Sequence, residues 1–379
     1  MRIAIITETD PVETRVAASA ETVKKLVALG ATVAVQSGAG TQSGMTDDDF
    51  AAAGATIAKT AKDTLKDAEI VLKVRRPSSA ETKLIKKGAL VLAIMDPYDS
   101  AEALAAMAAA GLTTFSMELM PRITRAQVMD VLSSQANLAG YRAVIDAASD
   151  YGRGMPMMMT AAGTVPAAKV FVMGAGVAGL QAIATARRLG AVVTATDVRP
   201  AAKEQVASLG AKFVAVEDDE FKQAETATGY AKPMSAEYQA KQSELVAAHI
   251  AKQDIVITTA LIPGRPAPKL VSEAMVKSMR AGSVIVDLAV ERGGNVALAK
   301  AGETVMTANG VKIIGHLNVP GRVPASASAL YAKNLFSFLE TMIDKTTKAL
   351  AINWEDELVK ATNLTRDGAI VHPAFQPKA

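Results

Sequence analysis

The sequence predicts an α/β protein: two Rossmann-like, doubly wound domains with parallel sheets, the second inserted into the first, and a cleft between them. Three observations predict it. Short β-branched and apolar runs alternate with Ala-rich helical runs along the whole chain, the pattern of crossover helices laid on parallel strands. One strand–helix–strand unit occurs twice, starting at Ile3 and at Lys169. The 379 residues suffice for two domains at roughly 100–200 residues each. The first domain is expected over residues 1–134 plus 320–379 and the second over 135–319.

The first copy of the repeated unit is Ile3–Ile6, a helix ending Lys24-Lys25-Leu26-Val27-Ala28-Leu29-Gly30, and Ala31–Val35. The second is Lys169–Met173, a helix ending Arg187-Arg188-Leu189-Gly190, and Ala191–Thr196. In both, Leu-Gly-Ala reads as a C-cap glycine leading straight into the next strand, although any such unit can end that way. The first strand–helix turn, Thr7-Glu8-Thr9-Asp10-Pro11-Val12-Glu13, is acidic and glycine-free, so it cannot cradle phosphate; the second is glycine-rich. Further strands are expected at Ala68–Val74, Ala89–Met95, Leu112–Ser116, Lys212–Val216, Asp254–Thr258, Ser283–Asp287 and Val311–Gly315. The stretch at about 218–245 is polar and charge-mixed. A long irregular segment there is either a mobile lid or a plain insertion. Ala325 to about Leu350 reads as one long helix that packs back on the first domain.

Composition excludes several classes. A net charge of +3 over this length gives no basic footprint for nucleic acid. Zero Cys excludes disulfides, a thiolate metal site and a Cys nucleophile. The three His, at 249, 316 and 372, have no ligand spacing, so no metal site is expected. His249 and His372 read as structural, and His316, after a strand, as the one that could face a site. Met1–Ile6 is too short an apolar run for a signal peptide. No stretch offers about 20 uninterrupted apolar residues. The chain is therefore expected to be soluble, with any membrane link made through a partner.

Gly174-Ala175-Gly176-Val177-Ala178-Gly179 is GxGxxG, entered by the strand Lys169–Met173 and left by a helix. The next strand ends in Asp197, 23 residues after Gly174, close to the ~20 of dinucleotide-binding units. The first glycine permits the tight turn, the second lets a pyrophosphate approach the backbone, and the third lets helix and strand pack closely. Free N–H groups at the helix start favour the diphosphate. Asp197 accepts from ribose hydroxyls and repels a 2′-phosphate, which favours NAD(H) over NADP(H). Arg199, two residues on, could instead accommodate that phosphate.

From here the sequence resembles the NAD(H)-binding component, domain I, of the proton-translocating nicotinamide nucleotide transhydrogenases, and more distantly alanine dehydrogenase. The resembling stretches include Met117–Ile123 with Thr124–Gln127, Leu132–Asn137, Pro156–Pro166, the fingerprint with Leu180–Gly190, Thr258–Gly264, Asp287–Glu291 and Arg366–Pro373. The resemblance implies that Arg122, Gln127 and Asp130, with Ser133 beyond them, hold the nicotinamide end; the first three are also the candidate catalytic residues. Read from the residues, Gln127, Asp130 and Ser133 share a helix face at i,i+3 spacing. Asp130 can pair with Arg122, and Gln127 offers an acceptor and donors to a carboxamide. The implied nucleotide contacts continue at Val177, Ala178 and Gly179, at Asp197, Val198 and Arg199, and at Gly229, Gln242 and Leu261. Tyr230 matches the tyrosine of a loop that closes over bound nucleotide.

The two relatives differ by a proton. Amino-acid dehydrogenation needs an acid–base group, which in alanine dehydrogenases is a His; after Leu90–Ile94 this chain reads Met95-Asp96-Pro97-Tyr98. Arg15 and Lys73 match residues that hold substrate in alanine dehydrogenase, and they also occur in transhydrogenases. Hydride transfer between two nicotinamides needs orientation and no acid–base residue. The resemblance thus implies a homodimeric NAD(H)-binding subunit, passing hydride to NADP(H) held on a partner and coupled to proton movement by a membrane-spanning component. Its expected place is cytoplasmic, peripheral to the inner membrane through those partners. The alternatives are an alanine-dehydrogenase-like enzyme and a non-catalytic NAD sensor. The acidic Thr7–Glu13 loop departs from the basic run usual in the family.

Overall fold

The computed structural model describes residues 1–224 and 234–376, and the chain divides into two units. The first comprises residues 1–135 and 320–379, the second residues 136–319, so the second is inserted in the first. Each is built on one large, mostly parallel sheet. Among the described residues no helix is long and apolar enough to cross a membrane, and no group of three or more His, Asp or Glu is placed to hold a metal.

The first unit has an eight-stranded sheet in the order Ala369–Ile370, Asn363–Arg366, Thr113–Ser116, Leu90–Ile94, Ile70–Arg75, Arg2–Ile5, Thr32–Gln36, Thr56–Ala58. The two strands from the chain's end pair antiparallel; the others are parallel. Side chains alternate between the two faces, so Ile3 and Ile5 enter one core while Ala4 and Ile6 enter the other. The helix Pro324–Glu340 closes the first core with Tyr331, Leu335, Phe338 and Leu339. It stops about ten residues short of the expected Leu350. Asp344 accepts from the backbone N–H groups of Thr346 and Thr347, and Ile343 pairs with Leu350, which turns the chain instead.

The second unit has seven strands in the order Lys212–Phe213, Val192–Thr196, Lys169–Met173, Ile255–Thr258, Val284–Asp287, Lys312–Ile314, Thr304–Met306. The inner strands are covered on both faces, Val170 and Val172 in one core and Phe171 and Met173 in the other, which is why they read as unbroken apolar runs. Helices Asp219–Lys222 and Ala236–Ile250 occupy much of the stretch expected to be irregular at about 218–245. A separate hairpin, Met158–Thr160 with Gly163–Val165, is largely exposed.

Candidate functional site

Chain order reverses on either side of the strand Lys169–Met173. One neighbour is the next strand in sequence, Val192–Thr196, and the other, Ile255–Thr258, comes much later. The carboxyl ends of strands at such a switch are where ligands sit in open α/β sheets, and the glycine-rich turn lies there. Gly174 has φ +107°, and a Cβ on it would fall 2.4 Å from Thr259 Oγ1. A Cβ on Gly179 would lie 1.8 Å from the Gly174 carbonyl oxygen, so that residue must be glycine for the helix Val177–Arg188 to seat on its strand. At Gly176, the N-cap, an added Cβ meets nothing within 4 Å. The turn is therefore tight where it packs and open at the helix start, where N–H groups face outward. That donor set fits a diphosphate.

Asp197 follows the strand Val192–Thr196, and one of its oxygens accepts from the Ala175 N–H at 2.7 Å. Arg199 folds back on it, its Nε 2.9 Å from Oδ1 and its Nη2 3.2 Å from the Ala175 carbonyl. The arginine thus braces the carboxylate and the glycine turn together. Gln242, on the Ala236–Ile250 helix, accepts from the Val216 N–H and donates to Thr196 Oγ1 beside Asp197. Val177, Val198 and Leu261 present apolar side chains, each at least 40% exposed. Leu261 lies in a loop held by buried Asn295, which accepts from the Ala260 N–H and donates to the carbonyls of Ala260 and Pro268. The Ala178 carbonyl lies where a Cβ on Gly140 would fall, at 2.0 Å; Gly140 is a packing residue of this site that motif reading passed over. Gly229 and Tyr230 lie outside the described residues.

His316 Nδ1 lies 3.3 Å from Asp146, a carboxylate that also pairs with Arg142. His249 bonds Thr194 Oγ1 at 2.8 Å and sets its ring edge against Phe171. His372 packs on Phe375.

In the first unit, Gln127, Asp130 and Ser133 do not share one helix. Gln127 belongs to a 3-10 turn, Thr124–Met129, and the α-helix Val131–Asp150 begins beyond it. Asp130 sits between the two with ψ 93°. It accepts from the Ser133 N–H at 2.9 Å and from the Ser133 hydroxyl at 2.5 Å, capping the helix. Its carboxylate is engaged there and makes no bond to Arg122. Arg122 and Gln127 are exposed, and no partner holds either side chain among the described residues. A guanidinium and a carboxamide are thus presented to solvent beside a fixed carboxylate.

Two family profiles match the chain. That of the alanine dehydrogenase/PNT N-terminal domain covers residues 4–139, and that of the C-terminal domain residues 143–373. The chain belongs to the alanine dehydrogenase/PNT family. It is 58% identical to an NAD(P) transhydrogenase alpha subunit of Rhodospirillum rubrum, over 99% of both chains. A solved transhydrogenase structure from Sinorhizobium meliloti superposes with a TM-score of 0.90 at 65% identity, covering 98% of this chain and all of that one. An L-alanine dehydrogenase structure gives 0.82 at 28% identity, covering 99% of this chain and 98% of that one.

In this family member the acidic first loop proves to be buried charge. Glu13 bonds Arg15 and Arg75, each at 2.7 Å, with no exposure of its carboxylate. Glu8 and Glu81 flank Lys73 at 3.1 and 3.0 Å. Arg15 also donates to Gln135, and the fully buried Tyr331 hydroxyl to the Lys73 carbonyl. Glu118, nearby in sequence to the nicotinamide candidates, accepts from the N–H groups of Met95 and Asp96, and burial pushes its pKa up. No stretch of sequence around the loop shows this, since its partners lie far along the chain.

Proposed function

We propose that this chain is the NAD(H)-binding subunit of a proton-translocating transhydrogenase, and that it passes hydride directly between NADH and NADP+ held on a partner subunit. The observation that carries the reading is likeness, over essentially the whole of both chains, to a protein named as a transhydrogenase alpha subunit. The glycine turn supports the nucleotide half: N–H groups at the start of the Val177–Arg188 helix take the diphosphate. Asp197 takes the adenosine ribose, Arg199, Gln242 and the Gly174–Gly179 backbone frame it, and Val177, Val198 and Leu261 flank the base. Gly229 and Tyr230 belong to the segment that closes over the nucleotide.

Arg122, Gln127, Asp130 and Ser133 take the nicotinamide end. Bound NADH supplies the hydride from its ring. The chain's part is orientation: Gln127 and Arg122 hold the carboxamide so that one ring face stays open to the partner's nucleotide, while Asp130 and Ser133 fix the turn. Holding reacting carbons at about 3–3.5 Å in the right attitude is worth several powers of ten in rate. No proton moves at those carbons, which suits a loop that reads Met95-Asp96-Pro97-Tyr98. The chain acts as a homodimer, with an NADP-binding component and a membrane-spanning component, on the cytoplasmic side of the inner membrane.

The test is a fluorescence titration of the chain with NADH, followed by pyruvate and ammonium, and then by NADP+ with the NADP-binding component. Saturable binding, no consumption with pyruvate and ammonium, and transfer only after the last addition is the expected result. Consumption with pyruvate and ammonium would make the chain an amino-acid dehydrogenase. Binding with no transfer under any condition would make it a sensor.

A further inference from the structure

We infer that Asn334 is a positioning residue for the nicotinamide end: its side-chain amide fixes the turn carrying Gln127 to the start of the helix carrying Ser133. The inference rests on the reading above and names a residue that no motif or resemblance singled out.

Asn334 lies on the Pro324–Glu340 helix and is 7% exposed, among Tyr331, Leu335 and Phe338 of the first unit's core. A buried amide is costly unless its groups are bonded. Both are. Nδ2 donates to the Val128 carbonyl at 2.8 Å, and Oδ1 accepts from the Ser134 hydroxyl at 2.7 Å. Val128 follows Gln127 in the 3-10 turn, and Ser134 follows Ser133 in the first turn of the next helix. One amide therefore spans the break that Asp130 makes between the two.

The turn needs such a clamp. Six residues is long for 3-10 geometry, whose bonds are poorer than those of an α-helix. Only Ala126 and Met129 of this turn are buried, and Val128 is 62% exposed, so little apolar packing holds it. The anchor on the other side is firm. Ser134 Oγ also accepts from Gln135 Nε2, while Gln135 donates to the Ala327 carbonyl and accepts from buried Arg15. The Gln127 side chain is thus aimed by a backbone tied, through Asn334, to the buried charge cluster.

The experiment compares NADH with ADP-ribose, which lacks the nicotinamide ring, by calorimetric titration of the full chain and of Asn334→Leu, a nearly isosteric change that removes both bonds. The expected result is an unchanged ADP-ribose affinity with NADH binding weakened roughly fivefold or more, the loss of one hydrogen bond's discrimination. A role in folding alone would weaken both ligands together or neither, and either result overturns the inference. Should Asn334→Leu fail to fold, Ser134→Ala cuts the same tie from the other side by a single hydroxyl. The same selective weakening is expected, and an unchanged NADH to ADP-ribose ratio overturns the inference. A wild-type chain that binds NADH no more tightly than ADP-ribose would remove the nicotinamide assignment itself, and this inference with it. That outcome is visible before any variant is made.

Discussion

Arg199 saturates Asp197. Its backbone N–H and Nε both lie 2.9 Å from Oδ1 and its Nη2 3.1 Å from Oδ2, where the Ala175 N–H already donates. A carboxylate has about four lone-pair sites, and here each is used. Ribose hydroxyls reach Asp197 only by displacing the guanidinium. Freed, that cation is also the group best able to offset a 2′-phosphate. Arg199→Leu should therefore sharpen the preference for NADH over NADPH, by roughly tenfold from the loss of one charge-assisted contact. Competitive titration with both nucleotides measures it, and an unchanged ratio would remove Arg199 from selectivity.

Asp197→Ala should weaken NADH binding roughly ten- to hundredfold, the range for losing hydrogen bonds to a charged group. It also leaves the Ala175 N–H and Arg199 without their acceptor. Wild-type affinity in this variant would sink the adenosine assignment.

The glycines separate packing from binding. Gly179→Ala places a methyl 1.8 Å from the Gly174 carbonyl oxygen, and overpacking of this kind costs roughly 1–3 kcal/mol or more. Its melting temperature should fall clearly. Gly176→Ala meets nothing within 4 Å, so its melting temperature should hold while its NADH affinity drops. Calorimetry with and without NADH reads both; a Gly176→Ala variant that binds normally would argue against a diphosphate at the helix start.

Glu13 predicts an acid limb. Burial raises its pKa, but the bonds and charges of Arg15 and Arg75 outweigh burial and hold it at about 2, against an ordinary 4.5. A depressed native pKa contributes stability that is whole above about 4.5 and is lost as pH falls toward 2. The shift corresponds to ~3 kcal/mol. Glu8 has the opposite sign: burial raises its pKa despite Lys73, so its contribution falls as pH climbs above its ordinary value. Glu13→Gln should be less stable than wild type at pH 7, and the gap should narrow below about pH 4.5 as the wild-type carboxylate takes a proton. Urea unfolding across that range checks it, and a gap independent of pH would contradict the assignment.

What was legible in the sequence, and what was not, follows from how local each signal is. Strands such as Lys169–Met173 announce themselves because both faces are buried. Thr56–Ala58, Met158–Thr160, Thr304–Met306 and Asn363–Arg366 are three or four residues long, too short to show a period. Gly174, Gly176, Gly179 and Asp197 stand at diagnostic spacing within one unit, so their roles could be read without coordinates. The hold of Arg199 on Asp197 depends on a rotamer. Asp130 looked like one more helical residue because i,i+3 spacing is silent about a cap. Asn334 and Ser134 are 200 residues apart, and Glu13 and Arg75 are 62 apart; no window along the chain contains either pair.

The insertion of one unit in the other has a consequence during synthesis. Residues 136–319 are contiguous, so everything the second unit needs has left the ribosome soon after residue 320 is made. The first unit begins the chain yet cannot finish until the end of it. Until then the strand Thr113–Ser116 lacks its antiparallel neighbour Asn363–Arg366, and the core lacks Tyr331, Leu335 and Phe338. An open sheet edge and an uncovered apolar face are what chaperones hold. The nascent chain therefore carries a finished nucleotide-binding fold while its own first strands still wait, and that interval is when it is most in need of protection.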